Sequence, residues 1–125
     1  MCHQTVSLVA RHLEANGIPT VVVGSARDIV EYCGAPRFVF LDFPLGNPTG
    51  EPWKRDMQRD VVGIALDTLE NASEPMQTVE TNFVWPDPEW RGRYNRLTPE
   101  IRARLKAEGD ARRDKQNAAK ALRQG

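Results

Sequence analysis

The sequence predicts an α/β fold: a small parallel sheet with flanking helices, lacking its first strand, followed by an exposed C-terminal helix. Three observations carry this. The apolar residues Val6, Val9, Ala10 and Leu13 recur at helical spacing and run directly into the apolar stretch Ile18-Pro19-Thr20-Val21-Val22-Val23. A short helical segment then leads to a second apolar run, Phe38-Val39-Phe40-Leu41. A long amphipathic segment leads on to a weaker strand candidate, Thr78 to Trp85.

The first helix opens at Cys2, and Asn16-Gly17 stops it, because glycine accepts the left-handed backbone that ends a helix. Ser25 to Tyr32 reads as a second helix, with Ser25 as N-cap and Cys33-Gly34 closing it. Two apolar runs joined by a helical crossover make a right-handed βαβ unit, hence parallel strands. Asp42 to Pro52 holds three prolines and two glycines in eleven residues and is a loop, leaving the strand edge where α/β folds place their ligands. Trp53 to Asn71 is the longest helix of the domain, with Met57, Val61, Ile64, Ala65, Thr68 and Leu69 facing inward. Pro86 and Pro88, with Trp85 and Trp90, mark an irregular exit. Thr98 as N-cap and Pro99 at the first helical position start a last helix. From Thr98 to Gly125 there are eight Lys or Arg against four Asp or Glu, a local net of +4, and few large apolar residues, so this helix is exposed. The expected division is an α/β domain over residues 1–90 and a charged helical tail over 91–125.

At 125 residues with 17 basic and 17 acidic side chains, the chain is one domain at most and formally neutral. Neutrality argues against a globally basic nucleic-acid binder. No apolar run approaches a membrane span, and no signal peptide is legible, so no membrane partner is expected and a reducing, cytoplasmic setting is the default. Cys2 and Cys33 make neither a disulfide framework nor a complete metal site.

Cys2 and His3 are the candidate chemical groups. They sit at a helix N-terminus, where unpaired backbone N–H groups favour negative charge and a thiol becomes a better nucleophile. Cys2 is equally the residue that follows an initiator methionine. His3 supports a thiolate or moves a proton, or simply caps the helix. Gln4 and Thr5 cap the helix or offer hydrogen bonds to a ligand. His12 lies among polar neighbours and is solvated, and Cys33 is a small packed hydrophobe. Asp42, at a strand's C-terminal end, stands at a common catalytic position but is also a good turn former. The glycines of the Asp42 to Pro52 loop offer backbone N–H groups to an anion, although no P-loop or dinucleotide fingerprint is present.

As an ordered set these residues resemble a known family. Cys2-His3-Gln4-Thr5-Val6, Leu13-Glu14-Ala15-Asn16-Gly17-Ile18-Pro19-Thr20-Val21, Ala35-Pro36-Arg37, Phe43-Pro44-Leu45-Gly46-Asn47-Pro48, Gly50-Glu51-Pro52 and Gln58 follow the order and spacing of the C-terminal part of the selenoprotein B family. That family includes the substrate-specific subunits of glycine, sarcosine and betaine reductase and the related subunit of D-proline reductase. The resemblance covers Cys2 to Trp85; the tail adds nothing to it.

The resemblance implies thiol- or selenol-dependent reductive cleavage of a C–N bond in a glycine-, sarcosine-, betaine- or proline-like substrate. Cys2 is then the redox thiol with His3 beside it, and Gln4, Thr5, Asp42, Gly46 and Asn47 line the substrate site. It implies no metal and no bound cofactor, with electrons supplied by an external dithiol protein such as thioredoxin. Family members carry a selenocysteine or cysteine three residues before the position of Cys2, at the end of a strand; here only the second half of that motif stands. The expectation is a subunit or C-terminal fragment, beginning just after a selenocysteine codon read as stop and inactive without its other part. The competing class is a non-catalytic binding or assembly module, in which Cys2 is incidental and the Pro/Gly loop and basic tail hold a partner.

Overall fold

A computed structural model describes residues 1–94 and 96–124. The element order is α1 (Cys2–Ala15), β1 (Val22–Gly24), α2 (Arg27–Cys33), β2 (Arg37–Phe40), α3 (Arg55–Asn71), β3 (Gln77–Glu80), α4 (Trp90–Tyr94) and α5 (Pro99–Gln124). The chain divides into two compact units, Met1–Trp90 and Arg91–Gly125.

In the first unit the three strands form one parallel sheet in the order β1-β2-β3. Register pairs Val22 with Phe38, Val23 with Val39, and Val39 with Val79. Because side chains alternate across a strand, this alignment sorts the sheet into two faces. Val22, Phe38 and Phe40 pack with Ala10 of α1 and Val30 of α2 on one face. Val23, Val39, Leu41 and Val79 pack with Val61, Ala65, Met57 and Ile64 of α3 on the other, together with Phe43, Phe83 and Trp85. The two crossovers therefore step the same way across the sheet with their helices on opposite faces, so they are of opposite hand. One of them departs from the right-handed rule. Polar bonds hold α2 over its face: Arg27 pairs with Glu80, and Thr78 Oγ1 donates to Glu31 Oε1 at 2.9 Å.

Several boundaries differ from the sequence expectation, each for a local reason. The first strand is Val22–Gly24 and not Ile18 to Val23. Ile18 is half exposed, Pro19 has no N–H to give a ladder, and Thr20 N–H donates to Glu14 Oε2 at 2.8 Å while its hydroxyl donates to Ala10 O. The second strand begins at Arg37, and Leu41 continues the ladder through its N–H to Gly24 O at 3.0 Å. α3 starts at Arg55, because Trp53 stands at φ 66° outside the helical range. The third strand spans only Gln77–Glu80; Phe83 and Trp85 beyond it still pack onto the core, Trp85 edge-on to Phe43 at 5.2 Å.

The apolar period of α1 identifies the helix but not its inner face. The buried residues are His3, Ser7 and Ala10, whereas Val6, Leu8 and Val9 are each nearly half exposed. Small and polar side chains let α1 approach the sheet edge closely, and Ser7 satisfies its hydroxyl by donating to His3 O at 2.7 Å.

In the second unit α5 is capped as the sequence predicts: Ile101 N–H donates to Thr98 Oγ1 at 3.3 Å, with Pro99 as the first helical residue. No described helix is long and apolar enough to cross a membrane.

Leu41 is fully buried. Leu41→Ala should cost about 2–5 kcal/mol in urea unfolding of the intact chain. The exposed Val84→Ala should stay within roughly 0.5 kcal/mol. Equal effects would show that the core is misassigned.

Candidate functional site

The site is built around His3. The residue is 8% exposed and its ring lies against the end of β1. Nε2 accepts hydrogen bonds from the backbone N–H groups of Ser25 at 3.0 Å and Ala26 at 3.3 Å. An acceptor Nε2 carries no proton, so the neutral ring holds its hydrogen on Nδ1; the tautomer is assigned from these partners. Nδ1 faces Cys2 Sγ at 3.5 Å. The imidazole thus ties the first turn of α1 to the start of α2 and turns its N–H toward the thiol.

This capping changes the expected role of Ser25. The N-cap of α2 is Ala26, with no side-chain cap, and Ser25 Oγ is buried with no hydrogen-bond partner among the described residues. The imidazole occupies the place beside the Ser25 and Ala26 N–H groups that a capping hydroxyl normally takes. Gly24 makes this possible: a Cβ there would stand 2.9 Å from His3 Cδ2 and 3.3 Å from Phe38 Cε2. A glycine directly after an apolar run is the one sequence signal that marks such a close approach.

Cys2 is exposed and Cys33 is buried; both are free thiols. Thr5 serves the helix turn, since its N–H and hydroxyl both donate to Met1 O at 3.1 Å. Gln4 lines an open cleft of about 460 Å³ with Met1, Asp28, Ile29, Tyr32 and Cys33. Burial pushes the His3 pKa down, the N-terminal ammonium lowers it further, and Asp28 opposes them.

The Asp42 to Pro52 loop leaves the same carboxyl edge of the sheet, after β2. It is anchored by buried Phe43, Pro44 and Gly50. Much of its backbone bonds within the loop or to α3: Asn47 N–H donates to Pro44 O at 3.2 Å, Gly50 N–H to Asn47 O at 3.4 Å, and Gln58 Nε2 to Glu51 O at 2.9 Å. Gly46 takes φ 96° and Gly50 φ 116°, and a Cβ at Gly50 would stand 3.3 Å from Met57 Cγ. Asp42 and Gly46 are exposed, and Asn47 is partly buried. Asp42, Gly46 and Asn47 are not among the residues lining the cleft beside Gln4. The structure therefore brings Cys2, His3 and Gln4 together at the start of α1 and leaves Asp42, Gly46 and Asn47 on a separate loop of the same edge. Among the described residues no three His, Cys, Asp or Glu side chains converge as a metal site.

The chain is 34% identical over 68 residues to D-proline reductase subunit gamma of Acetoanaerobium sticklandii. The match takes in 54% of this chain and 28% of that subunit, so the chain spans little more than a quarter of its relative's length. This supports a distant relation to D-proline reductase. No family model matches, and no solved structure does.

His3 carries a pH prediction. Its folded pKa lies below its unfolded value of 6.5, so the unfolded chain binds more protons and stability rises with pH. The contribution is complete above about pH 6.5 to 7 and is lost as pH falls through 6.5 toward the folded value. His3→Gln keeps an acceptor near the Ser25 and Ala26 N–H groups and should flatten this slope; His3→Ala should cost about 1–3 kcal/mol at neutral pH by orphaning them. Gly24→Ala should displace the ring and destabilise by about 1–3 kcal/mol. Thermal unfolding between pH 5 and 8, roughly the range over which histidine titrates, reads all three.

Proposed function

We propose that the Met1–Trp90 unit is the thiol-bearing part of a reductase of the D-proline and glycine reductase type, acting with a further polypeptide. The observation that carries the reading is an exposed Cys2 thiol facing His3 Nδ1 at the carboxyl edge of a parallel sheet, in a chain distantly related to a D-proline reductase subunit. That edge is where open α/β sheets receive ligands.

The chemistry balances with a dithiol as reductant. The Cys2 thiolate attacks the substrate carbon next to nitrogen; a C–S bond forms, the C–N bond breaks, and the amine leaves with a proton. A thiol of the donor attacks Cys2 Sγ; an S–S bond forms and the carbon leaves with the electron pair and takes a proton. The donor's second thiol then releases Cys2 and closes the donor disulfide. Substrate and dithiol become reduced carbon product, amine and disulfide; with proline the amine stays attached to the opened chain. A single Cys2 cannot resolve its own adduct, so the second thiol comes from elsewhere: a thioredoxin-like protein or another chain of the assembly. The substrate class is a small amino acid or N-methylated amino acid, of the proline, glycine, sarcosine or betaine kind.

In this reading His3 is a positioning residue. Its Nε2 is committed to the backbone, and its Nδ1–H donates to the sulfur. Gln4 opens toward the substrate, Thr5 sets the turn, and Asp42, Gly46 and Asn47 stand on the loop across the edge. The need for a further polypeptide is supported by Val6, Leu8 and Val9 of α1 and Ile18 just after it, each about half exposed. The reading places the protein in a reducing, cytoplasmic compartment, where both cysteines remain thiols.

The assembly purified through a tag on this chain, given dithiothreitol and each of the four substrates in turn, should either release amine from glycine, sarcosine or betaine or open the proline ring to an open-chain amino acid, with at least one of the four. Cys2→Ser should lower the rate by about 10²-fold or more, and Cys33→Ser should leave it within about twofold. Undiminished turnover in Cys2→Ser, or equal losses from both changes, would make this chain an assembly module and sink the reductase assignment.

A further inference from the structure

The formal charge of zero conceals a division. Residues 1–90 carry six Lys or Arg and thirteen Asp or Glu, a net of −7, whereas residues 91–125 carry eleven and four, a net of +7. The opposite charges are arranged alike on two helices. On α3, Asp56, Asp60, Gly63, Asp67 and Glu70 follow one another by alternating steps of four and three residues, which is one continuous stripe of a helix. On α5, Arg102, Lys106, Gly109, Arg113, Gln116, Lys120 and Arg123 follow the same alternation. The charged members of both stripes are exposed. Arg113 pairs locally with Asp110 on its own helix, an exposed contact that exchanges readily with solvent.

Each stripe has a glycine in its third position. Glycine inside a helix costs roughly 1 kcal/mol relative to alanine. Among the described residues a Cβ at Gly63 or at Gly109 would meet nothing within 4 Å, so no close packing there calls for either glycine. A second helix lying along the stripe would use that space. Leu66 on the flank of the α3 stripe and Leu105 on the flank of the α5 stripe are each about half exposed and supply apolar contact beside the charges.

We propose that α5 of one copy lies along α3 of a second copy, basic stripe on acidic stripe, in a two-fold dimer. Each copy gives its α5 and receives its partner's, so the same contact forms twice. Asp60 and Asp67 face Lys106 and Arg113 whichever way the helices run, because both pairs are spaced seven residues apart. Charge complementarity sets the register and the small residues set the approach.

The test is the mass of the full-length chain in solution. Sedimentation at low salt should give a dimer, and raising sodium chloride to about 0.5 M should weaken the dissociation constant by about tenfold or more, since charges then act over only roughly 4 Å. The double variant Asp60→Lys/Asp67→Lys and the double variant Lys106→Glu/Arg113→Glu should each be monomeric with unchanged helical circular dichroism. Mixed in equal amounts they should form a heterodimer, because each reversed stripe then meets its opposite in the other copy. A wild-type monomer at low salt, a dimer indifferent to both reversals, or a mixture that stays monomeric would overturn the proposal. So would a basic helix that retains nucleic acid while the chain stays monomeric.

Discussion

The seating of the His3 ring on the Ser25 and Ala26 backbone decides how the rest of the first unit is arranged. Apart from His3, the buried residues of α1 are only Ser7 and Ala10, and Val6, Leu8 and Val9 are nearly half exposed. The imidazole solves two problems at once. It satisfies two backbone donors at the start of α2, and it fixes where Cys2 stands relative to the sheet edge. Burial of a neutral imidazole is tolerable because its acceptor nitrogen is doubly used; burial of the charged form is not, and its pKa moves down accordingly.

A second tie holds the far end of α1. Arg37 Nη1 donates to Glu14 Oε1 at 2.8 Å and to Thr20 O at 3.3 Å, while Glu14 Oε2 receives the Thr20 N–H. The hydrogen bond to Arg37 is the largest reason the Glu14 carboxyl lies below its ordinary range. The helix is thus pinned at the carboxyl edge by a histidine and at the amino edge by an ion pair, with Ala10 packed between. The loop from Ile18 to Val21 is shaped by the same tie, which is why the strand begins later than its apolar run.

The fold was legible where periodicity carried the signal. The parallel sheet, the three helices of the first unit and the capped α5 follow from apolar runs, stop signals and Thr98-Pro99. Less legible was which side of α1 faces inward, because Val6 and Val9 outweigh His3 and Ser7 on any hydropathy scale. A buried histidine with backbone partners looks like a surface residue in sequence; only Gly24, beside it in space and 21 residues away in sequence, hints otherwise. Ser25 was misleading for the same reason: a good capping residue was displaced by a better-placed ring. Of the candidate site, the Cys2 and His3 adjacency was readable from two neighbouring letters. Its relation to the Asp42 to Pro52 loop depends on tertiary geometry, which places both at one sheet edge without joining them in one cleft.

Charge was the least legible property, because a sum hides an arrangement. A net of zero excludes a uniformly basic surface but says nothing of two halves at −7 and +7. An acidic α/β unit and a basic helical unit in one polypeptide repel their own kind and attract each other's, so the simplest consequence is association that dissolves in salt. The proposed thiol chemistry, with its second polypeptide, and the proposed pairing of charged stripes are separate constraints placed on different helices. The first concerns α1 and its half-exposed apolar residues; the second concerns α3 and α5. The two surfaces share no residue, so substitutions on one leave the other intact.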